Sequence, residues 1–560
     1  MEIKLPPFPG NKPIIMGIIN VHINDRVKKK QVLANVETSK GIRNILAPKE
    51  GFINKIQVSQ GDRLRPGQVI FCLEVINTKE KAEEGINDLS DFTSKEISNK
   101  ELLETDLLVI GAGVGGYSAA IYGKKSGLDV ILVEEDKLGG TCLNFGCIPT
   151  KTLIHSANIY HDMKSYENIG INCKASLDYL KLQDHKNEII NNLVAGISYL
   201  IEKNDITFIN GHAEFLSNNT VCIGESRIKA KNIIIATGAR LDKGDFDGAN
   251  LSLVLDAKEA LGKKEIPQSI TIIGGGVMGM EFAFLYNNLG SKVSVLAHRE
   301  VILRGIDSLA RDEIYKRAKE EGIDIYLNSP VKKIDQSLDD KAIVTFTKDG
   351  KEEKLISQNV LITAKTPANI DNLSLCNTSI DLDKETSAIR VNEFMQSSVK
   401  HIYAIGDCNG SYKLAHVASK QAIIAVDTIL GKQKPFDKKN IPLVIFTSPE
   451  IASIGYSEEE LRAKNIRFIS KIVDFSSNGK SIIEDNGKGF IKILVDEQSH
   501  KILGTTIVGK DVSNLISHIS LAMENNLTIE NLSDTVFPHP TISEIIGDAS
   551  LKVLGLSIND

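Results

Sequence analysis

Leu107-Leu108-Val109-Ile110-Gly111-Ala112-Gly113-Val114-Gly115-Gly116 is the stretch that decides the fold. Its four leading apolar residues make the short unbroken run of a strand buried on both faces, and the residues from Tyr117 to Ser126 continue as a helix. Between strand and helix the glycines Gly111, Gly113 and Gly116 each have a separate task. The first permits the tight turn, the second lets a pyrophosphate approach the backbone, and the third lets helix and strand pack closely. The helix N-terminus then offers unpaired N–H groups to the phosphates. Glu134 closes the next strand-like run, Asp129 to Glu134, 23 residues after Gly111, where a carboxylate accepts the adenosine ribose hydroxyls. The glycines alone specify little; strand, turn, helix and acid together specify a dinucleotide-binding α/β sheet.

The pattern recurs. Ile270 to Ile273 lead into Gly274-Gly275-Gly276-Val277-Met278-Gly279 and the helical Met280-Glu281-Phe282-Ala283. Two fingerprints in one chain argue for two redox cofactors. The second following strand, Val293 to Leu296, ends in Ala297-His298-Arg299 where an NAD site wants a carboxylate. Its absence removes the usual partner of the ribose 2′-hydroxyl, while His298, Arg299 and Arg304 suit a 2′-phosphate.

Downstream of the first fingerprint stands Gly139-Gly140-Thr141-Cys142-Leu143-Asn144-Phe145-Gly146-Cys147-Ile148-Pro149-Thr150-Lys151. Two cysteines so spaced beyond a strand fall where a first helical turn holds both sulfurs on one face, a geometry suited to a closable disulfide; two ordinary buried thiols are the competing reading. Seven cysteines with this one close pair fit a reducing compartment and a single catalytic disulfide better than an oxidised framework. The stretch resembles the redox-active motif GGTCLNxGCIPTK of the flavin-dependent pyridine nucleotide-disulfide oxidoreductases, and in detail the branch that oxidises dihydrolipoamide.

That resemblance implies FAD in the first fold and NAD in the second, with NADP as its rival; Gly279 favours NAD, since NADP-using relatives commonly carry alanine there. It implies that Cys142 exchanges with substrate while Cys147 is the thiolate facing the flavin, and that Lys151 lies near the flavin and pairs with Glu281. Ile233 to Gly238 looks like the family's ATG crossover, and Ile402 to Asp407 like its second flavin motif, with Asp407 on the ribityl chain. Phe537-Pro538-His539-Pro540-Thr541-Ile542-Ser543-Glu544 resembles HPTxxE, which makes His539 the acid-base and Glu544 its orienting carboxylate, both contributed by the opposite subunit of a homodimer. Phe537 replaces a histidine common in close relatives. Ala364-Lys365-Thr366-Pro367 departs from the usual Gly-Arg-x-Pro.

The N-terminal region repeats itself at an offset of 37: Asp25 falls on Asp62, Arg26 on Arg63, Gln31 on Gln68, Val32 on Val69 and Glu37 on Glu74. One fixed offset means two matching supersecondary units, here small β-units with Asn-Asp and Gly-Asp turns. Glu37-Thr38-Ser39-Lys40-Gly41 sets one lysine at a polar tip between them. The stretch resembles the lipoyl domains of 2-oxo acid dehydrogenase complexes, which carry the modified lysine in ETDKA; Ser39 and Gly41 depart from it. The resemblance implies a lipoyl group on Lys40, and the methionines that flank a biotinyl lysine are absent. Residues 77–104 are rich in charge, Ser and Asn and poor in core formers, the composition of a flexible linker.

A chain of 560 residues exceeds what one core supports. The expected layout is a small all-β lipoyl-like domain (1–76), a linker (77–104), an FAD domain (105–252), an NAD(P) domain (253–372), a central return to the flavin fold (373–440) and an α+β dimerisation domain (441–560), an α/β protein overall. A net charge of −6 with scattered cations gives no footprint for nucleic acid. No apolar run approaches the roughly 18 residues of a membrane helix, and Met1 to Pro6 holds no signal core. The expectation is a cytoplasmic enzyme with no metal, partnered by a lipoylated acyltransferase or lipoyl carrier protein of a multienzyme complex. No cysteine follows Cys408, which disfavours mercuric and high-molecular-weight thioredoxin reductases. A glutathione-reductase-like enzyme fits the core alone, and a carrier subunit with degenerate catalysis is the rival of another class.

Overall fold

A computed structural model of the chain describes residues 2–5, 14–22, 25–27, 31–38, 41–49, 51–75, 102–163, 166–363, 365–485 and 487–559. It divides into two compact units, Met1–Thr93 and Ser94–Asp560.

In the first unit the described residues form two four-stranded antiparallel sheets. One runs Glu2–Lys4, Val69–Val75, Gly51–Ile56, Arg26–Val27, and the other Gly41–Leu46, Val32–Thr38, Ile14–Ile19, Arg63–Leu64. The sequence repeat is visible bond by bond. Ile15 faces Glu37 and Met16 faces Val36; shifted by the repeat, Phe52 faces Glu74 and Ile53 faces Leu73. Met16 N–H donates to the Asp62 carbonyl at 2.9 Å, as Ile53 N–H does to Asp25 at 2.9 Å. The two matched aspartates close matched turns, Asp25 accepting from His22 N–H at 2.7 Å and Asp62 from Ser59 N–H at 2.8 Å. Each half thus lends a strand to the other's sheet around a shared core of Met16, Leu33, Ile53, Ile70 and Phe71. Thr38 pairs with Gly41, so the hairpin is closed up to its tip. Lys40 itself lies outside the described residues.

In the second unit, the first glycine turn follows the central strand of a parallel sheet ordered Thr207–Asn210, Val130–Glu134, Leu102–Ile110, Ser226–Ile235, Ile402–Ala404, with Thr220–Ile223 and Ala213–Ser217 added antiparallel. The central strand begins at Leu102, three residues inside the stretch read as linker, whose residues 77–101 lie outside the described residues. Ser226–Ile235 is long enough to pair Leu102, Leu103 and Glu104 with Arg227, Ile228 and Lys229, and Leu103 packs against the apolar core of this sheet.

The second glycine turn sits in a parallel sheet ordered Val254–Leu255, Asn359–Ile362, Ser269–Ile273, Lys292–Leu296, Asp324–Tyr326. Its helix Val277–Asn288 buries Met280, Phe282, Ala283, Phe284, Leu285 and Tyr286, and Glu281 and Asn288 with them, so it is covered on every face. A helix of that kind needs partners all round. It shares one core with its own sheet and with Leu153, Ile154 and Ala157 of Cys147–Asp162, the helix that begins at the second redox cysteine.

The C-terminal sheet is antiparallel: Leu443–Ile445, Glu450–Gly455, Ile502–Gly509, Phe490–Asp496, Phe468–Asp474. Helices Val512–Glu524 and Glu544–Val553 share its core.

Candidate active site

The cysteine loop is built by glycine conformation. Gly139 and Gly140 both take positive φ, 90° and 60°. A Cβ on Gly139 would lie 2.2 Å from Leu143 Cδ2, and one on Gly140 would lie 2.7 Å from the Gly113 Cα. The pair therefore brings the loop onto the first glycine turn, where Gly139 N–H donates to the Ala112 carbonyl at 2.9 Å. Cys142 lies in the short helix Gly140–Phe145 and Cys147 opens the next, Cys147–Asp162. The expected single helical turn is thus two helices, because Gly146 leaves helical geometry at φ −134°, ψ −108°. Cys142 and Cys147 are disulfide-bonded, their Cα atoms 4.7 Å apart. Asn144 Nδ2 donates to the carbonyls of Leu138 (2.9 Å) and Gly140 (3.0 Å), and Thr150 Oγ1 to that of Gly146 (2.6 Å). These two residues of the motif hold the loop's shape.

One turn along the second helix, Lys151 Nζ meets Glu281 Oε2 at 2.8 Å and lies 4.7 Å from the Phe446 ring centroid. The other oxygen of Glu281 accepts from Phe446 N–H at 3.0 Å. Glu281 is buried, so charge and hydrogen bond together satisfy a carboxylate that water does not reach.

Around the first glycine turn, a Cβ on Gly111 would strike the Ala236 carbonyl oxygen at 2.5 Å and one on Gly116 the Gly111 carbonyl oxygen at 1.7 Å. Gly113, by contrast, faces nothing closer than Gly140 Cα at 3.9 Å. Glu134 accepts from Ala112 N–H at 2.6 Å and Asp136 N–H at 2.9 Å, and burial pushes its pKa up. Gly238 and Asp407 follow the adjacent strands Ser226–Ile235 and Ile402–Ala404, at the same sheet edge as Gly111. Burial pushes Asp407 up as well, with Lys413 opposing. Cys408 next to it is buried and donates to the carbonyls of Ile235 and Ile405, and burial lifts its thiol to about 12. The second turn copies the first. Gly274 has φ 127°, Gly276 is open, and a Cβ on Gly279 would lie 1.9 Å from the Gly274 carbonyl oxygen. His298 and Arg299 are exposed beyond its strand.

At the far end of the chain, His539 Nδ1 lies 2.9 Å from Glu544 Oε1, and Thr541 N–H donates to Oε2 at 2.9 Å. The Thr541 amide first, then His539, holds Glu544 below the usual carboxylate range. An ionised Glu544 makes Nδ1 the protonated nitrogen and leaves Nε2 as the acceptor. The His539 side chain is 79% exposed in the single chain. Phe537, which stands where the resemblance leads one to expect a histidine, lies near His518, ring centroids 6.4 Å apart, and over Gly547.

Residues 105–422 match the family model described as pyridine nucleotide-disulphide oxidoreductase, and 441–550 its dimerisation domain. The chain belongs to this family. Residues 12–73 of the oxidoreductase match the biotin/lipoyl model described as biotin-requiring enzyme. Curated relatives called dihydrolipoyl dehydrogenase include those of Mycoplasma genitalium (35% identity, 81% of this chain, 99% of the relative) and Bacillus subtilis (35%, 81% and 99%). Among solved structures, the HOCl-induced flavoprotein disulfide reductase RclA from Escherichia coli aligns with TM-score 0.72 at 28% identity, over 80% of this chain and 99% of that one.

The oxidoreductase fits FAD and a nicotinamide dinucleotide on its own geometry. Both second glycines, Gly113 and Gly276, leave the space that a pyrophosphate occupies. Thr237 Oγ1, beside Gly238, is buried without a hydrogen-bond partner, an orphan that a ligand group at this edge satisfies.

Proposed function

We propose that this oxidoreductase reoxidises protein-bound dihydrolipoyl groups through the Cys142–Cys147 disulfide and passes the electrons to NAD, as a homodimer serving a 2-oxo acid, acetoin or glycine-cleavage type complex in the cytoplasm. The observation that carries this is the disulfide loop bonded directly to the glycine turn of a dinucleotide fold, in a chain that also has a lipoyl-type domain. That domain argues against a glutathione-reductase-like role, and the complete set of redox and acid-base residues argues against a mere carrier.

In this reading His539 Nε2 takes the proton of one substrate thiol, and the thiolate attacks Cys142 Sγ, breaking the bond to Cys147, which leaves as thiolate. The second substrate thiol attacks the substrate sulfur of the mixed disulfide and gives its proton to the departing Cys142, which leaves as a thiol as the lipoyl ring closes. The two electrons then rest on the cysteine pair, with one substrate proton on Cys142, the other on His539, and Cys147 as thiolate. FAD, when bound, supplies the two-electron exchange between that pair and the nicotinamide. Glu544 keeps His539 in the tautomer that accepts at Nε2, and the strong exposure of His539 in one chain suits delivery into the partner's site. Glu134 and Asp407 would be the carboxylates that hold the flavin's ribose and ribityl hydroxyls, and Lys151, fixed by Glu281, would be the cation on the flavin side of the disulfide helix. Lys40 carries the lipoyl group.

The test is turnover of dihydrolipoamide by Cys142→Ser and Cys147→Ser. Both should purify yellow and lose turnover by about a thousandfold or more, a covalent route having no substitute. Wild-type rates in either variant would sink the disulfide route.

A further inference from the structure

The two glycine folds are one construction used twice, so the first calibrates the second. In the first, Ile110 faces Val133, Gly111 N–H donates to the Val133 carbonyl at 2.8 Å, and the next residue, Glu134, receives Ala112 N–H. In the second, Ile273 faces Leu296, Gly274 N–H donates to the Leu296 carbonyl at 2.9 Å, and the next residue is Ala297. Strand register thus sets a methyl group where the first fold has its ribose-binding carboxylate. A methyl group neither accepts the 2′-hydroxyl nor repels a phosphate attached there.

The turn that follows is held at both ends. Ala297 N–H donates to the Tyr326 carbonyl (2.9 Å), Ser329 N–H to that of Ala297 (2.8 Å) and Asn328 N–H to that of Arg299 (2.9 Å). Leu303, buried and left-handed at φ 48°, donates its N–H to the Gly275 carbonyl at 2.8 Å, which ties the turn to the glycine loop itself. His298, Arg299 and Arg304 project from this pinned backbone as exposed side chains, and Glu300, also exposed, is the opposing charge in the turn. No ion pair occupies Arg299 or Arg304 among the described residues.

Resting on the nicotinamide reading above, we propose that this ribose subsite accepts a 2′-phosphate, Ala297 removing the discrimination and His298, Arg299 and Arg304 supplying donors, so that the enzyme takes NADP as well as NAD. The test uses full-length, FAD-loaded protein and calorimetric binding of two adenine fragments, adenosine 2′,5′-bisphosphate and 5′-AMP. Wild type should bind the bisphosphate at least as tightly as 5′-AMP. Arg299→Ala with Arg304→Ala should weaken the bisphosphate by about fivefold or more, two exposed ion pairs being lost, and leave 5′-AMP within about twofold. Ala297→Glu should weaken the bisphosphate by a similar factor. Weaker binding of the bisphosphate than of 5′-AMP by wild type, or equal loss of both fragments in the arginine variant, overturns the proposal. Bleaching of the flavin by dihydrolipoamide without any nucleotide separates the two readings: bleaching with no bisphosphate preference condemns only the ribose subsite, and bisphosphate binding without bleaching condemns only the dihydrolipoyl reaction.

Discussion

Glu544 keeps its charge because the Thr541 amide holds one carboxylate oxygen and His539 the other. Its pKa is lower folded than unfolded, so the linked stabilisation is complete above the free glutamate value of about 4.3 and disappears as pH falls through the lower folded value. Wild type should therefore melt above Glu544→Gln at neutral pH, and the gap should close on acidification below about pH 4; a gap that widens there would refute the assignment. In turnover, His539→Gln should lose about 10²–10⁴-fold, the range of positioned acid-base catalysis, with flavin content unchanged. Cysteines, histidine and glutamate were legible in sequence because their chemistry needs particular side chains at particular spacings. Asn144, Thr150 and the Phe446 amide were not, since each acts through backbone carbonyls or a backbone N–H whose position only the folded chain defines.

Helix and strand meet most closely at the third glycine of each fold, and this contact separates the two cofactors experimentally. A methyl group at Gly116 or Gly279 would sit 1.7 Å or 1.9 Å from the carbonyl oxygen of Gly111 or Gly274, so the helix must move off its strand. Overpacking of this kind costs about 1–3 kcal/mol and displaces the helix N-terminus that faces the phosphates. Gly116→Ala should purify with less than about a tenth of its flavin, while Gly279→Ala should stay yellow and lose affinity for NAD by about tenfold, a shift of roughly 1.4 kcal/mol. Flavin absorbance and NAD titration check both. The paired glycines showed these elements in advance because period and turn chemistry are local. The start of the central strand at Leu102 was hidden: its first residues are ordered by Ser226–Ile235, more than a hundred residues away, and their own composition reads as linker.

Across the second unit, Glu281 joins three regions, taking Lys151 from the flavin fold and the Phe446 amide from the C-terminal region while standing on the nicotinamide helix. Lys151→Met would strand a buried carboxylate and should cost about 3–5 kcal/mol; Glu281→Gln leaves behind only a lysine one-third exposed and should cost less. Equal melting temperatures for the two would deny that the buried charge is what matters. The N-terminal unit poses the remaining question. Relatives aligned over 99% of their length match only 81% of this chain, so they do without a segment of its size, and the second unit contains both cradles, the disulfide and the His539–Glu544 pair. Deleting residues before Leu102 should therefore leave turnover of free dihydrolipoamide within about twofold of wild type, since the deleted stretch holds none of the groups assigned to that reaction. What the deletion should abolish is nucleotide reduction driven by the chain's own reduced lipoyl group, which needs no added thiol because it belongs to the same chain. Intact mass of native protein and of Lys40→Ala establishes whether that group is present. If it is, and if the chemically reduced full-length protein reduces no more nucleotide than the deleted form, the lipoyl domain serves another enzyme's active site and not this one.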